Sequence, residues 1–351
     1  MKQDISKIKL SLFLVGTMLL ISFAYYGYQI CFTPNILIDR EDRIISIKSG
    51  TTFREVQDEL YNNDFVNDMV SFSFIARLKG YDKAIKPGRF LLRKGMTNLE
   101  ALKVLSASQQ IAVRVTFSYV RLRKELAEKI TKNLSITPGE FNDALDDFIK
   151  NNDQGFNKDN ILCMFIPNTY EVYFNILPED FIKKMNDEYK RFWNESRLTK
   201  AKEVGLTPFE VSILASIVQA ESVKQDEAPV IAGLYINRLK KNIALQADPT
   251  LVYAVGDFTL KRVLNGHKEI DSPYNTYKHP GLPPGPINVP QIWSIDAVLN
   301  YQHHNYYYMC AKEDFSGYHN FANSLDEHSR NARKYQRALD AEMAKAKQNK
   351  K

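Results

Sequence analysis

Three hydrophobic patterns follow one another along the chain. From Leu10 to Ile30 there are 21 residues without a charge, and 15 of them are apolar. At about 1.5 Å per residue this reaches roughly the 30 Å of a bilayer's hydrocarbon core, so it predicts a transmembrane helix. Residues 31–42 read as a short linker. Shorter periods then take over. Ile44 to Ile47 is a β-type run ended by Gly50, and Thr52 with Glu55 has the spacing of a capping box opening a helix to about Asn62. Val70 to Leu78 is helical, and Pro87-Gly88 turns the chain into a strand, Arg89 to Arg93. The order strand–helix–helix–strand over about fifty residues predicts a small βααβ unit, followed by a helix from Thr97 to Ser106.

Between 109 and 200 the pattern predicts an intervening α/β region. It has a strand Ile111 to Phe117, a charged helix Arg121 to Lys132, and a helix opened by Thr137-Pro138-Gly139-Glu140. A polar loop, 150–160, an apolar run Ile161 to Ile166, and a helix from Pro178 to about Ser196 complete it. The third pattern starts at Thr207-Pro208-Phe209-Glu210, again an N-cap, a first-turn Pro and a capping Glu.

On that last helix Leu214, Ile217, Val218 and Glu221 fall at i, i+3, i+4 and i+7, one face. A carboxylate therefore sits on the core-facing stripe, in the last turn. Burial disfavours its charged form, and the negative end of the helix dipole repels it. A carboxyl group still protonated near neutral pH is what a general acid requires. Spacing alone equally describes, and more often means, a helix-end Glu turned to water. A second helix starts at Asp226, Glu227 and Pro229 and ends at Lys240-Lys241. Leu245-Gln246-Ala247-Asp248-Pro249-Thr250 then reads as a polar turn. Six of the 14 prolines fall in residues 273–290, a stiffened loop carrying Tyr274, Asn275, Thr276 and Tyr277. Such flat rings, amides and hydroxyls suit a sugar, although a rigid surface connector has the same composition.

Charge changes the picture less than it promises. The 47 basic and 41 acidic residues leave a net +6. Residues 330–351 hold eight basic and two acidic side chains, so that tail equals the whole excess. With +2 on the first nine residues, the stretch 10–329 sums to −2. No basic surface supports a nucleic-acid partner. Lys2, Lys7 and Lys9 before the apolar stretch predict a cytoplasmic N-terminus by the positive-inside rule. A cleaved signal peptide ending near Ser22-Phe23-Ala24 is the competing reading, but the apolar run continues through Tyr25, Tyr26 and Tyr28. Cys31 follows bulky Gln29 and Ile30 and does not suit a lipidation site. Cys31, Cys163 and Cys310 are too few for a disulfide scaffold. All six histidines lie in residues 267–328, with no zinc-ligand spacing.

Taken together, Ala215-Ser216-Ile217-Val218-Gln219-Ala220-Glu221-Ser222, Ala232-Gly233-Leu234-Tyr235-Ile236-Asn237-Arg238-Leu239 and Leu245–Thr250 resemble the MltG-type, or YceG-like, endolytic murein transglycosylases. So do Asp271-Ser272-Pro273-Tyr274-Asn275-Thr276-Tyr277 and Gly281-Leu282-Pro283-Pro284-Gly285-Pro286. The likeness extends forward to His319, Phe321 and Glu327-His328, and back through Phe165-Ile166-Pro167-Asn168-Thr169-Tyr170. Departures are Gln219, where members often carry a first Glu, and Asn168, where an acidic residue is usual. A family Glu-Gly is absent both at Leu162-Cys163 and near residue 118.

The resemblance implies an α+β protein with an N-terminal transmembrane helix, a LysM-like βααβ module and a mixed α/β catalytic domain. The layout expected is a cytoplasmic tail 1–9, a transmembrane helix 10–30, the linker 31–42 and a LysM-like module 43–108. The intervening region 109–200, a catalytic domain 201–335 and a basic tail 336–351 follow. Glu221 is then the catalytic acid and base, needing neither metal nor cofactor. Gln246, Asp248, Thr250, Tyr274, Asn275, Thr276 and Tyr277 are the candidates for positioning the glycan, with Asp248 equally able to cap the turn before Pro249. The partners implied are peptidoglycan glycan strands, the inner membrane and peptidoglycan synthases, with the catalytic domain in the periplasm. A hydrolytic muramidase and a non-catalytic, membrane-tethered wall-binding protein are the alternatives. A zinc hydrolase lacks a ligand motif.

Overall fold

The computed structural model describes residues 2–107, 110–260 and 263–348. The chain divides into two units. The first comprises Met1–Val115, Asn133–Ile136 and Glu171–Ile176, and the second Thr116–Lys132, Thr137–Tyr170 and Leu177–Lys351.

The first unit opens with helix α1 (Lys2–Phe32). Its stretch Lys7–Phe32 is, among the described residues, the one helix long and apolar enough to cross a membrane, and it is wholly exposed over its most apolar window. Strands β1 (Pro34–Ile36) and β2 (Arg43–Ile47), helices α2 (Phe53–Asn62) and α3 (Met69–Leu78), strands β3 (Gly88–Leu92) and β4 (Met96–Thr97), and helix α4 (Asn98–Leu105) follow. β2 pairs antiparallel with β3, Ile45 facing Phe90. Alternation along these strands sends Ile45, Ile47, Phe90 and Leu92 inward against Val56, Leu60, Phe72 and Ile75 of α2 and α3. The Thr52–Glu55 capping box forms as the spacing predicts. So does the βααβ order.

The expected linker 31–42 is not a free linker. β1 pairs antiparallel with β4, and Ile36 and Leu37 lie in the core at 0% and 1% exposure. Buried Asn35 explains why. Its amide donates to the Asp68 carbonyl and to Asn98 Oδ1 (2.7 Å), and Asn98 donates to the Ile30 carbonyl at 2.9 Å. The end of α1 is therefore fastened to its own unit by a satisfied polar network. The end of the predicted module, residue 108, lies outside the described residues.

Along the remaining chain come β5 (Val113–Thr116), α5 (Arg123–Thr131), α6 (Pro138–Asn151), β6 (Thr169–Val172), α7 (Pro178–Phe192), α8 (Glu195–Val204) and α9 (Pro208–Glu221). Then follow α10 (Ala228–Lys240), α11 (Asp248–Val255), α12 (Ile292–Leu299), the hairpin β7 (Tyr308–Ala311) and β8 (His319–Ala322), and α13 (Leu325–Gln348). Two expectations change. The single helix drawn from Pro178 to Ser196 is two, because Asn194 leaves helical geometry and caps α8 by accepting from the Arg197 N–H. The polar turn at 245–250 is the entrance to α11: Gln246 takes a left-handed φ of 53°, and Pro249 sits in the first turn. The basic tail continues α13 as far as Gln348, and residues 349–351 lie outside the described residues.

α9 is the centre of the second unit. It packs against α8, α10, α11 and α12. The sequence showed one apolar stripe, but eight consecutive residues, Val211 to Val218, are buried. The proline-rich loop covers the side the stripe left open: Ile287 N–H donates to Ser216 Oγ, and the Asn288 amide donates to the Ser216 carbonyl. On α10, Gly233 allows a close crossing, since a Cβ there would lie 2.3 Å from the Gln302 carbonyl oxygen. Gly233→Ala should therefore cost about 1–3 kcal/mol through overpacking. A lowered urea midpoint at unchanged slope is the expected measurement.

Candidate active site

Because α9 is buried on every side from Val211 to Val218, its last turn emerges where that cover ends. Glu221 is its final residue, and the chain leaves the helix at Ser222 in extended geometry. The Tyr235 hydroxyl, from α10, donates to Glu221 Oε1 at 3.2 Å. Burial pushes the Glu221 carboxyl up to about 7, the negative charge of Asp248 pushes the same way, and the Tyr235 hydrogen bond opposes both in part. The group is poised near neutrality.

Glu221 and Asp248 together line two adjoining hollows. The larger, about 680 Å³, is bounded by Tyr119, Arg121, Gln219, Val252, Tyr253, Phe258 and Asn288. The smaller, about 350 Å³, is bounded by Tyr235, Arg238, Gln246, Tyr277, Tyr308 and His319. A chain-like ligand laid across both passes Glu221 in its middle.

Of the residues expected to position a ligand, Gln246, Asp248 and Tyr277 line this trough. Gln246 Oε1 accepts from Arg238 Nη2 at 2.8 Å, and Arg238 is itself held by the carbonyls of Ala244 and Tyr307. Tyr277 donates its hydroxyl to Asp248 Oδ1 at 2.6 Å. The other four support the site from behind. Thr250 and Thr276 share a 2.8 Å hydrogen bond and are wholly buried, with Thr276 Oγ accepting from the Ala247 N–H. Asn275, equally buried, donates to the Lys268 and Ile270 carbonyls. Tyr274 packs on the Tyr253 ring at 4.7 Å. Their place in the loop suggested sugar contacts; satisfied backbone partners and the lack of exposed surface assign Thr250, Asn275 and Thr276 to holding the loop.

Several trough residues were not singled out from the sequence. Tyr235, 14 residues beyond Glu221, shows in the sequence only as part of a helix face with Ile231, Leu234 and Leu239, which marks it as core. Tyr119, Arg121 and Glu125 come from the region expected to precede the catalytic domain, so the trough draws on more chain than 201–335. Glu227 is buried and accepts from the His319 N–H and ring Nδ1 at 2.8 and 2.6 Å, fixing that imidazole at the edge of the smaller hollow. His328, which also lines the smaller hollow, packs on the Tyr308 ring, and His304 packs on Tyr306. Among the described residues no group of three or more His, Cys, Asp or Glu is placed to hold a metal ion. Cys31, Cys163 and Cys310 are unpaired. Gln219 is structural: its amide donates to Asn288, and its Oε1 accepts from the Gln291 N–H at 2.6 Å.

The chain is similar to known proteins over most of its length. The model of the YceG-like family matches residues 45–334. The endolytic murein transglycosylase of Bacillus subtilis (strain 168) is 30% identical over 310 residues, covering 83% of this chain and 84% of that protein. The endolytic murein transglycosylase of Streptococcus pneumoniae serotype 2 (strain D39) is 26% identical over 91% of this chain; the match spans 63% of that longer protein. In fold, a crystal structure of a YceG-like protein from Listeria monocytogenes matches with a TM-score of 0.54, covering 83% of this chain and 98% of that one at 22% identity.

The ionisation of Glu221 can be read through stability. Its carboxyl holds a proton in the folded state up to about pH 7, whereas the unfolded chain releases it near 4.5. Between these values folding takes up a proton, so rising pH weakens this contribution. Glu221→Gln should therefore melt progressively higher than the parent between pH 5 and pH 8. Asp248→Asn removes a like charge and should move the same window to lower pH. Tyr235→Phe should move it to higher pH.

Proposed function

The chain belongs to the YceG-like family, and from that membership we propose that it is an endolytic lytic transglycosylase of peptidoglycan, with Glu221 as its single acid and base. The observation that carries the proposal is a carboxyl group poised near pH 7 at the junction of two hollows. A glycan strand lying through the trough presents sugars on both sides of Glu221, which suits a cut within the strand.

The mechanism follows from the group's surroundings. With Tyr235 donating to Oε1, the other carboxyl oxygen is left to carry the proton toward the leaving oxygen on C1 of N-acetylmuramic acid. Asp248, fixed by Tyr277, supplies negative charge beside the positive charge that develops at C1. Once ionised, Glu221 accepts the proton of the same sugar's C6 hydroxyl, which closes on C1 to give a 1,6-anhydro end. The nucleophile is intramolecular, so its approach costs little entropy. No water is consumed. Gln246 and Arg238 present polar groups along the smaller hollow to hold the strand.

α1 serves in this reading as a single-pass inner-membrane anchor, with residues 1–9 in the cytoplasm and the trough outside. The βααβ segment, a LysM-like arrangement, gives a second contact with wall glycan. Tethering of this kind favours nascent strands beside the synthases that polymerise them, so that cutting ends their growth.

The test is the mass of the products. Full-length protein in detergent should release fragments from isolated peptidoglycan whose muramic ends lack one water. Ends carrying that water would instead identify a muramidase, with Asp248 as the second carboxylate such an enzyme uses. Glu221→Gln should fold and lower the rate by at least about 10²-fold. The rate should fall with a one-proton limb near pH 7 as Glu221 loses the proton it must donate. Undiminished cleavage by Glu221→Gln would overturn the assignment.

A further inference from the structure

Arg121 is held in the larger hollow by more than its own chain. Val120, the residue before it, is fully buried, and its carbonyl accepts from the Val289 N–H of the proline-rich loop at 2.7 Å. Lys129 donates to the Ser118 carbonyl at 2.6 Å, and Tyr119 takes a left-handed φ of 51°. A non-glycine residue in that region is strained and persists where its surroundings fix it. The turn is thus pinned on both sides of Val120. It leaves the Tyr119 ring 71% exposed on the wall of the hollow, beside Arg121.

The Arg121 guanidinium lies over the Phe258 ring, 4.9 Å from its centroid. Stacking on one face leaves the in-plane N–H edges of a guanidinium free to meet a planar anion with two parallel hydrogen bonds. Among the described residues no carboxylate is ion-paired with Arg121. Glu125, the nearest in sequence, spends its carboxylate on the backbone N–H groups of Arg121 and Leu122. Among the described residues, Arg121 is the one cationic side chain that lines that hollow. The other charged groups among the described lining residues, Glu125, Glu221 and Asp248, are all acidic, so an anion entering the hollow finds its one described cationic partner in Arg121.

We propose that Arg121, stacked on Phe258 and flanked by the Tyr119 ring, forms a carboxylate-reading subsite that decides which wall strands are cut. The proposal rests on the peptidoglycan reading above and deepens it. Every muramic acid carries a lactyl group, and its carboxylate is either free or extended by a stem peptide that bears carboxylates of its own. One such carboxylate takes the guanidinium fork while an adjacent sugar lies against Tyr119. Strands with these groups bind productively, and strands whose carboxylates have been converted to amides do not.

The experiment compares three sets of glycan strands on the full-length protein in detergent: with stem peptides, stripped of peptides to leave the lactyl carboxylate, and with all carboxylates amidated. The parent should show a KM at least about tenfold lower on a carboxylate-bearing set than on the amidated set. Whichever set carries the advantage identifies the source. Arg121→Gln should collapse that ratio to near one through KM rather than kcat, and Phe258→Leu should reduce it. Arg121→Lys, which keeps the charge but loses the fork, should retain only part. Raising the salt from about 50 to 500 mM should shrink the parent's ratio and leave that of Arg121→Gln unmoved. A parent that does not discriminate, or a ratio that survives Arg121→Gln, would overturn the proposal. Direct binding of the same strands in a Glu221→Gln background separates the two claims. If the binding ratio appears there while the parent cleaves nothing, the subsite stands and the transglycosylase reading fails.

Discussion

The site depends on the burial of one helix. α9 is enclosed from Val211 to Val218, and Glu221, at the end of that cover, is held by the Tyr235 hydroxyl at 3.2 Å. A carboxylate forced to the edge of an apolar interior keeps its proton longer than one in water. Here that effect is tuned: Asp248 adds repulsion, and the Tyr235 hydroxyl restrains it. A group with a pKa near 7 can both give and take a proton at little cost, which is what a single residue acting as acid and then base needs.

Around this constraint the polar residues divide into two sets. Thr250, Asn275, Thr276, Ser216, Gln219 and Asn288 are turned inward, each satisfied by backbone or by another side chain, and together they fix the proline-rich loop against α9. Buried networks of this kind rigidify because any broken member leaves an unpaired polar group. Asp248, Gln246, Tyr277, Arg238 and His319 form the other set and border the open trough. The first set holds the second in register. In this light Gln219 is well suited to its place, since a neutral amide can donate to Asn288 and accept from Gln291 at once, as a carboxylate cannot.

Much of the fold is legible locally. Thr52–Glu55, Thr137–Glu140 and Thr207–Glu210 mark helix starts correctly because a capping box is an interaction between residues three apart. The stripe ending in Glu221 was legible for the same reason. The linker at 31–42 was misjudged because its order comes from Asp68, Met96 and Asn98, far along the chain. The helix entrance at Asp248 was missed because Gln246 in the left-handed region breaks the expected pattern.

By itself, then, the sequence determined where the helices begin, that a long apolar segment opens the chain, that its charge excess lies at the ends, and that a carboxylate interrupts a core stripe. These are properties of neighbours within a few residues. Only the tertiary structure decided which polar groups meet that carboxylate. Tyr235 and Asp248 reach it from separate elements, with Tyr277 behind Asp248; Tyr119 and Arg121 reach the same trough from a hundred residues or more earlier, and Thr250, Asn275 and Thr276 withdraw from it. Composition cannot separate a threonine that lines a cleft from one that supports it. Burial does, because a hydroxyl removed from water must find its partner inside the protein.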